Sequence, residues 1–121
     1  MNDSGIIRRP DTLDSGIFLR TFALDPDGGV ELKSVRPGSV LEVQTRNTTY
    51  TVIPQSSGEI MIWGHPQYCP EPVLLSGLGS VYVTGVLRKG YLGTGMRLSF
   101  RVGDHYITTS RIVGITAKLK H

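Results

Sequence analysis

The sequence predicts an all-β domain, arranged as a small, mostly antiparallel barrel or sandwich of about seven to nine short strands. Apolar and polar residues alternate along 39–46 and 96–102, which is the period of a strand with one buried face. The 15 glycines are spread along the 121 residues and separate segments rich in valine, isoleucine, threonine and tyrosine. Turn-forming residues recur at roughly the 8–12-residue spacing that is typical of sandwiches and barrels.

The first predicted elements are a hairpin and a short central strand. Segments 39–46 and 49–53 are both rich in β-branched and aromatic residues and are separated only by a short polar turn, so they predict a hairpin. Segment 59–63 is apolar on both faces, as expected of a strand near the centre of a barrel or sandwich.

The remaining strands are predicted in the C-terminal half. The glycine-rich segment 87–95 is interpreted as a connection, and Gly114 indicates a β-bulge. A proline-rich loop over 64–72 precedes these strands, because proline cannot donate a hydrogen bond to a sheet. The predicted strands lie at 73–75, 80–84, 96–102, 105–110 and 111–119.

Composition indicates one globular domain. Hydrophobic residues make up 39% of the chain and charged residues 19%, which is typical of neither a membrane protein nor a disordered one. Residues 1–14 are expected to be loosely ordered, and 15–121 to form the all-β domain. The N-terminus lacks the order of a signal peptide and no apolar run approaches a membrane span, so we expect a cytoplasmic protein that does not contact the membrane.

Positive charge is concentrated near the C-terminus. Residues 85–121 hold seven basic side chains against the single acid Asp104, a formal charge of +6, whereas residues 1–84 carry −3. A basic stripe on one sheet face attracts phosphates; the alternative is a solvated face whose cations protect the sheet from edge pairing. Tyr82, Tyr91 and Tyr106 provide stacking platforms for bases only if they point outward. The candidate anion-binding residues are Arg88, Lys89, Arg97, Arg101 and Arg111.

The proline-rich loop is a candidate interface with a protein partner or a second copy of the chain. A rigid loop offers aromatic surface at a low entropic cost, and such residues often anchor interfaces. The candidate interface residues are Trp63, His65 and Tyr68; the alternative is that they cap the protein's own core. His65 and the single cysteine, Cys69, are too few ligands for a structural metal site, so neither a metal nor another cofactor is expected.

One short motif points to an enzyme. Leu13-Asp14-Ser15-Gly16 resembles the Asp-Ser/Thr-Gly loop of retropepsin-like aspartic proteases, and Ile112-Val113-Gly114 is similar to their second apolar-apolar-glycine element. The resemblance implies a homodimer in which each subunit contributes one carboxylate, here Asp14, to a shared site. The alternative is that Asp14 is an ordinary turn or capping residue.

The leading functional interpretation is non-catalytic. Strands and turns dominate the sequence, and no set of residues with the spacing of a catalytic site is recognised, so we expect a binding or assembly module. The alternatives are an anion or nucleic-acid binder that uses the basic C-terminal half, and the homodimeric aspartic protease.

Overall fold

A computed structural model describes residues 28–118. The predicted loose segment 1–14 and the Asp14-Ser15-Gly16 motif therefore lie outside the described residues. Ten strands and one 3-10 turn, Leu32–Ser34, make up the described chain. The strands are β1 (Gly29–Glu31), β2 (Val40–Thr45), β3 (Thr49–Pro54), β4 (Ile60–Trp63), β5 (Val73–Leu75), β6 (Leu78–Val81), β7 (Leu87–Lys89), β8 (Tyr91–Gly93), β9 (Arg97–Val102) and β10 (His105–Lys118).

The strands form two antiparallel sheets, which confirms the all-β prediction. The larger sheet has eight strands in the order β5-β4-β3-β2-β10-β9-β6-β7, and β1 pairs with β8 in a second sheet of two strands. Within residues 28–118, no helix has the length and apolar character that a membrane span requires.

The larger sheet curls because of a short joint between β5 and β6. β5 pairs with β4, and β6 pairs with β9 at the other end of the sheet. Only Ser76 and Gly77 separate β5 from β6, so the two ends of the sheet must lie close together. Buried residues from both halves of the sheet belong to one core.

The core follows the alternation of the sequence. The predicted hairpin is present as β2 and β3, and Leu41, Val43 and Val52 are fully buried. β4 is half-buried on its second face, where Met61 and Trp63 lie. The two-stranded sheet joins the same core through Val30 and Leu92. Other core residues are Tyr50, Ile60, Ile62, Cys69, Leu78, Leu98, Phe100, Ile107 and Ile112.

β10 is one strand of 14 residues, where two strands were predicted. Its first part pairs with β9 and its second part with β2, and it changes register between Thr108 and Arg111. A second irregularity falls between Ile112 and Gly114, as the predicted bulge at Gly114 requires. The bulges bend the strand, so one strand can serve both halves of the curled sheet.

The predicted connection over 87–95 is wrong, because it contains β7 and β8. Both strands have three residues and are joined by Gly90, whose φ of 71° suits glycine. The predicted strand over 80–84 ends at Val81, and the chain then turns, with the Gly85 N–H donating to the Tyr82 carbonyl. The short strand β1 was not predicted, and together these differences give ten strands where seven to nine were expected.

Candidate ligand-binding site

A cleft of about 710 Å³ opens beside the joint between β5 and β6. Ser76, Gly77 and Gly79 line it, together with residues of the 3-10 turn and of the β3–β4 connection. Leu87 in the apolar lining is 46% exposed, whereas five other apolar lining residues belong to the core and are at most 6% exposed. These are Leu32, Val35, Ile60, Leu78 and Phe100.

Cations outnumber acids around the cleft. Lys33, Lys89 and Arg101 line it, and Glu59 is the one acid among the lining residues that the structure describes. Tyr106 also lines the cleft and is 76% exposed. The Arg101 guanidinium carbon lies 5.5 Å from the centre of the Tyr106 ring, within the range of a cation–π contact.

Gly79 allows the close approach of β6 and β7 in this part of the cleft. In register it lies opposite Lys89 on β7 and opposite Ser99 on β9. A Cβ atom at this position would lie 2.9 Å from the Lys89 Cα atom and would also clash with the Arg88 carbonyl. Only glycine lets β7 approach β6 this closely.

Four of the five candidate anion-binding residues share the outer face of the sheet. Arg97 and Arg101 alternate along β9 with the buried Leu98 and Phe100. Arg111 lies directly opposite Arg97, and the register through Gly79 places Lys89 on the same face. Because residues that lie opposite each other across antiparallel strands project on one side, these four form a continuous surface, the cationic face.

The fifth, Arg88, projects to the other side. It lies opposite the buried Ser80, and its guanidinium carbon is 3.7 Å from the centre of the Tyr91 ring. Its Nη2 atom donates to Glu31 Oε2 at 2.6 Å, and Nη1 donates to the Tyr82 hydroxyl at 3.4 Å. The hydrogen bonds to Tyr82 and Glu31 raise the pKa of Arg88 above its ordinary value. Arg88 therefore joins the two sheets and is separate from the cationic face.

The three tyrosines that are candidates for base stacking differ in exposure. Tyr106 points outward and Tyr82 is 39% exposed, whereas Tyr91 is buried. Only Tyr106 lies beside the cationic face, as the partner of Arg101 in the register of β9 and β10. Among the three, Tyr106 is therefore the one whose ring is open to solvent beside the cationic face.

The candidate interface residues lie away from the cleft lining. His65 and Tyr68 belong to a row of rings, with centroids 4.9 Å apart, and Tyr68 lies 4.8 Å from His105. His65 Nδ1 accepts hydrogen bonds from the Gln67 and Tyr68 N–H groups, both at 3.1 Å. Trp63 is opposite Thr51 on the outer face of β4 and is half-buried. Their role in an interface stays a prediction.

Cys69 forms an isolated β-bridge with His65 and is fully buried. Burial raises the pKa of its thiol, although a hydrogen bond with the His65 backbone acts in the opposite direction. A thiol that stays protonated is a poor nucleophile. No three histidine, cysteine, aspartate or glutamate side chains come together as a metal site in residues 28–118.

Lys33 also lines the cleft and is not among the residues predicted from the sequence. It lies in the 3-10 turn that follows β1, and the Leu32 N–H donates to the Gly90 carbonyl, which brings this turn beside the β7–β8 connection. The sequence carries no local signal for this contact, because it joins residues far apart in the chain. The second protease-like element, Ile112-Val113-Gly114, lies within β10, which continues to Lys118.

Comparisons with protein-family models, with curated proteins and with solved structures gave no match for this chain.

Proposed function

We propose that the chain is a non-catalytic binding domain that takes an anionic ligand in the cleft. The observation that carries this proposal is the combination of an apolar floor with three cations and one acid around it. Concave sites with apolar walls and a few polar groups are the usual form of ligand sites. The cations favour a negatively charged group at the rim, and the floor favours an apolar or planar part beside it.

The curled sheet supports the proposal. In this view β5 and β6 act as two parts of one bent strand, the first paired with β4 and the second with β9, so that the sheet behaves as a small barrel. The cleft lies beside this joint. The mouths of small β-barrels are a common place for ligand sites.

The test uses anilinonaphthalene sulfonate, an aromatic anion whose fluorescence rises in an apolar site. Saturable binding to the natively folded protein is expected. Lys89→Gln should weaken it about tenfold, because it removes a charged contact at the rim. Ser76→Trp should weaken it further, because the indole would occupy the cleft.

Lys118→Gln is the matched control, since Lys118 is an exposed lysine at the far end of β10. It removes the same charge and should leave the affinity unchanged. Equal binding by all four proteins would overturn the proposal, as would binding that appears only when circular dichroism shows loss of the native fold.

A second candidate is self-association, or binding of a protein partner, through the sheet edges. Strands β5 and β7 are the two edge strands of the larger sheet. Leu74 on β5 is 54% exposed, and Val83 and Val86 in the β6–β7 turn are 86% and 59% exposed. Exposed apolar side chains beside a free sheet edge favour association.

Sedimentation at increasing concentration tests this candidate. Association is expected to decrease in Val83→Ser with Val86→Ser if the β6–β7 turn forms the contact, and in Trp63→Ala with Tyr68→Ala if the proline-rich loop does. A strict monomer at high micromolar concentration would contradict both versions, and also the dimeric protease with Asp14 as its shared carboxylate.

A further inference from the structure

We infer that the anionic ligand is single-stranded nucleic acid, whose phosphates follow the cationic face from Arg101 to the Arg97–Arg111 pair. The inference rests on the proposed function, because it takes the cleft as the place where the strand begins. It adds a surface outside the cleft, the outer face of β9 and β10, and names the chemistry of the ligand.

The Arg97–Arg111 pair is the first support. The two arginines lie directly opposite each other on adjacent strands, and both are exposed. Like charges in this position destabilise a sheet unless an anion lies between them. One nitrogen of Arg97 donates to the Thr109 carbonyl at 3.1 Å, which fixes the side chain in place beside its neighbour.

The absence of acids on the surrounding face is the second support. The outward positions of β7, β6, β9 and the first part of β10 carry no aspartate or glutamate in the described chain. Asp104, in the β9–β10 turn, is the nearest acid in sequence and lies 3.9 Å from Arg101. A surface with one sign of charge attracts a polyanion.

The length of the face favours a chain over a small anion. Arg97 and Arg101 are four residues apart on one strand, which is about 13 Å. That distance exceeds the roughly 3.4 Å rise per phosphate along one strand of a duplex, so the two arginines contact different phosphates of one ligand. Between them, Ser99 and Thr108 lie opposite each other and offer hydroxyl groups to the backbone.

Tyr106 selects a single strand. Its ring is 76% exposed and lies beside Arg101 at the mouth of the cleft. Bases stack on such rings only when they are unpaired, since the bases of a duplex already stack on one another. The phosphates then bind the arginines while a base stacks on Tyr106 at the cleft mouth.

The experiment measures fluorescence anisotropy of a labelled oligothymidylate of about 12 nucleotides, a length within the usual range for small β-barrel binders. Arg97→Gln with Arg111→Gln should weaken binding at least about tenfold and lower the salt dependence by about two counter-ions. Tyr106→Ala should weaken it at least about fivefold with no change in salt dependence. Lys118→Gln, the matched control on the same strand, should change it less than about twofold.

The other outcomes overturn the inference. Equal affinity for a duplex of the same length would exclude selection of a single strand. Inorganic polyphosphate that competes as well as the oligonucleotide, with Tyr106→Ala unchanged, would indicate a general polyanion surface. Binding of the aromatic sulfonate without binding of the oligonucleotide would reject this inference and leave the proposed function standing. Circular dichroism of each variant confirms that the exposed substitutions preserve the fold.

Discussion

Two arginines of the larger sheet each lie over a tyrosine ring, on opposite faces of the sheet. The guanidinium carbon of Arg88 is 3.7 Å from the centre of the Tyr91 ring, and that of Arg101 is 5.5 Å from the centre of the Tyr106 ring. Tyr91 is 4% exposed, whereas Tyr106 is 76% exposed. The two arginine side chains are 41% and 56% exposed, so the difference lies in the rings: Tyr91 is buried under its arginine, and Tyr106 is open to solvent.

The partners of the two arginines explain the difference. Glu31 on β1 accepts a hydrogen bond from Arg88 at 2.6 Å, so the guanidinium is held between a carboxylate of the smaller sheet and the Tyr91 ring. Among residues 28–118, the hydrogen-bond and ion-pair partners of Arg101 lie in its own β9–β10 turn: the Gly103 carbonyl at 2.7 Å and Asp104 at 3.9 Å. Arg101 therefore faces outward with local partners, as the proposed contact between this arginine and an anionic ligand requires.

The largest expected effect separates the two tyrosines. Tyr91→Ala should lower the free energy of unfolding by about 3–5 kcal/mol, because it removes a buried aromatic side chain and leaves a cavity. Tyr106→Ala should change it by less than about 0.5 kcal/mol, because the ring is at the surface. Urea denaturation measures both. Similar losses in the two variants would contradict the assignment of Tyr91 to the interior and of Tyr106 to the surface.

Most of the strands that form the cationic face could be predicted from the sequence, since the alternation along 96–102 is enough to identify the outward positions of Arg97 and Arg101. Arg88 could not be assigned in this way. β7 has three residues in a glycine-rich segment, which is too short to show an alternation. The sequence therefore does not tell which of its side chains point inward. The same holds for β1 and β8, whose pairing joins residues about sixty positions apart.

The cleft could not be predicted, because it depends on the curl of the sheet. Its cations come from the 3-10 turn, from β7 and from β9, three elements that are distant in the chain. Alternation in the sequence indicates on which side of a strand a residue lies. Which strands lie beside the cleft depends instead on the two-residue connection at Ser76 and Gly77. The sequence predicts a platform at Tyr106 only if the ring points outward, and the register with Arg101 shows that the ring lies beside the basic residues.

The second prediction concerns the packing around the Tyr91 ring. The Tyr91 ring covers the backbone at Gly93, where an added Cβ atom would lie 2.8 Å from Tyr91 Cε2 and 2.5 Å from Met96 Sδ. Gly93→Ala should therefore cost about 1–3 kcal/mol of stability through overpacking. Gly77→Ala is the control, since that position has open space. If urea denaturation gave both variants wild-type stability, the close packing around Tyr91 would be refuted.

The third prediction extends the contrast to pH. Burial, and to a lesser extent the charge of Cys69, raises the pKa of Tyr50 above its ordinary value of 10.0, and burial raises the pKa of Cys69 above 9.0. Both groups keep their protons in the folded chain at a pH where the unfolded chain releases them. Stability is therefore fully present below about pH 9 and falls as the pH rises through the pKa values of the folded groups.

Denaturation midpoints measured from neutral to alkaline pH check this dependence. Tyr50→Phe should make the decline less steep, because phenylalanine has no proton to release, whereas Tyr106→Phe should leave the decline as it is in the wild type. A decline that is equally steep in the wild type, Tyr50→Phe and Tyr106→Phe would show that Tyr50 does not carry the effect.

The smallest expected effect concerns Asp104, the acid beside Arg101. Asp104 is fully solvent-exposed and its carboxylate lies 3.9 Å from Arg101, so the ion pair adds little to stability, and Asp104→Asn should change the free energy of unfolding by less than about 0.5 kcal/mol. Its charge nevertheless opposes an anion on the cationic face. At a separation of roughly 8 Å in water, removing one like charge is worth about 0.5 kcal/mol, which corresponds to about twofold tighter binding of the oligothymidylate. Glu42→Gln, which removes an exposed carboxylate on β2, is the control and should change the affinity less. Weaker binding by Asp104→Asn would mean that the Asp104 carboxylate positions Arg101 for the ligand, so that the open arginine, like Arg88, depends on its acid.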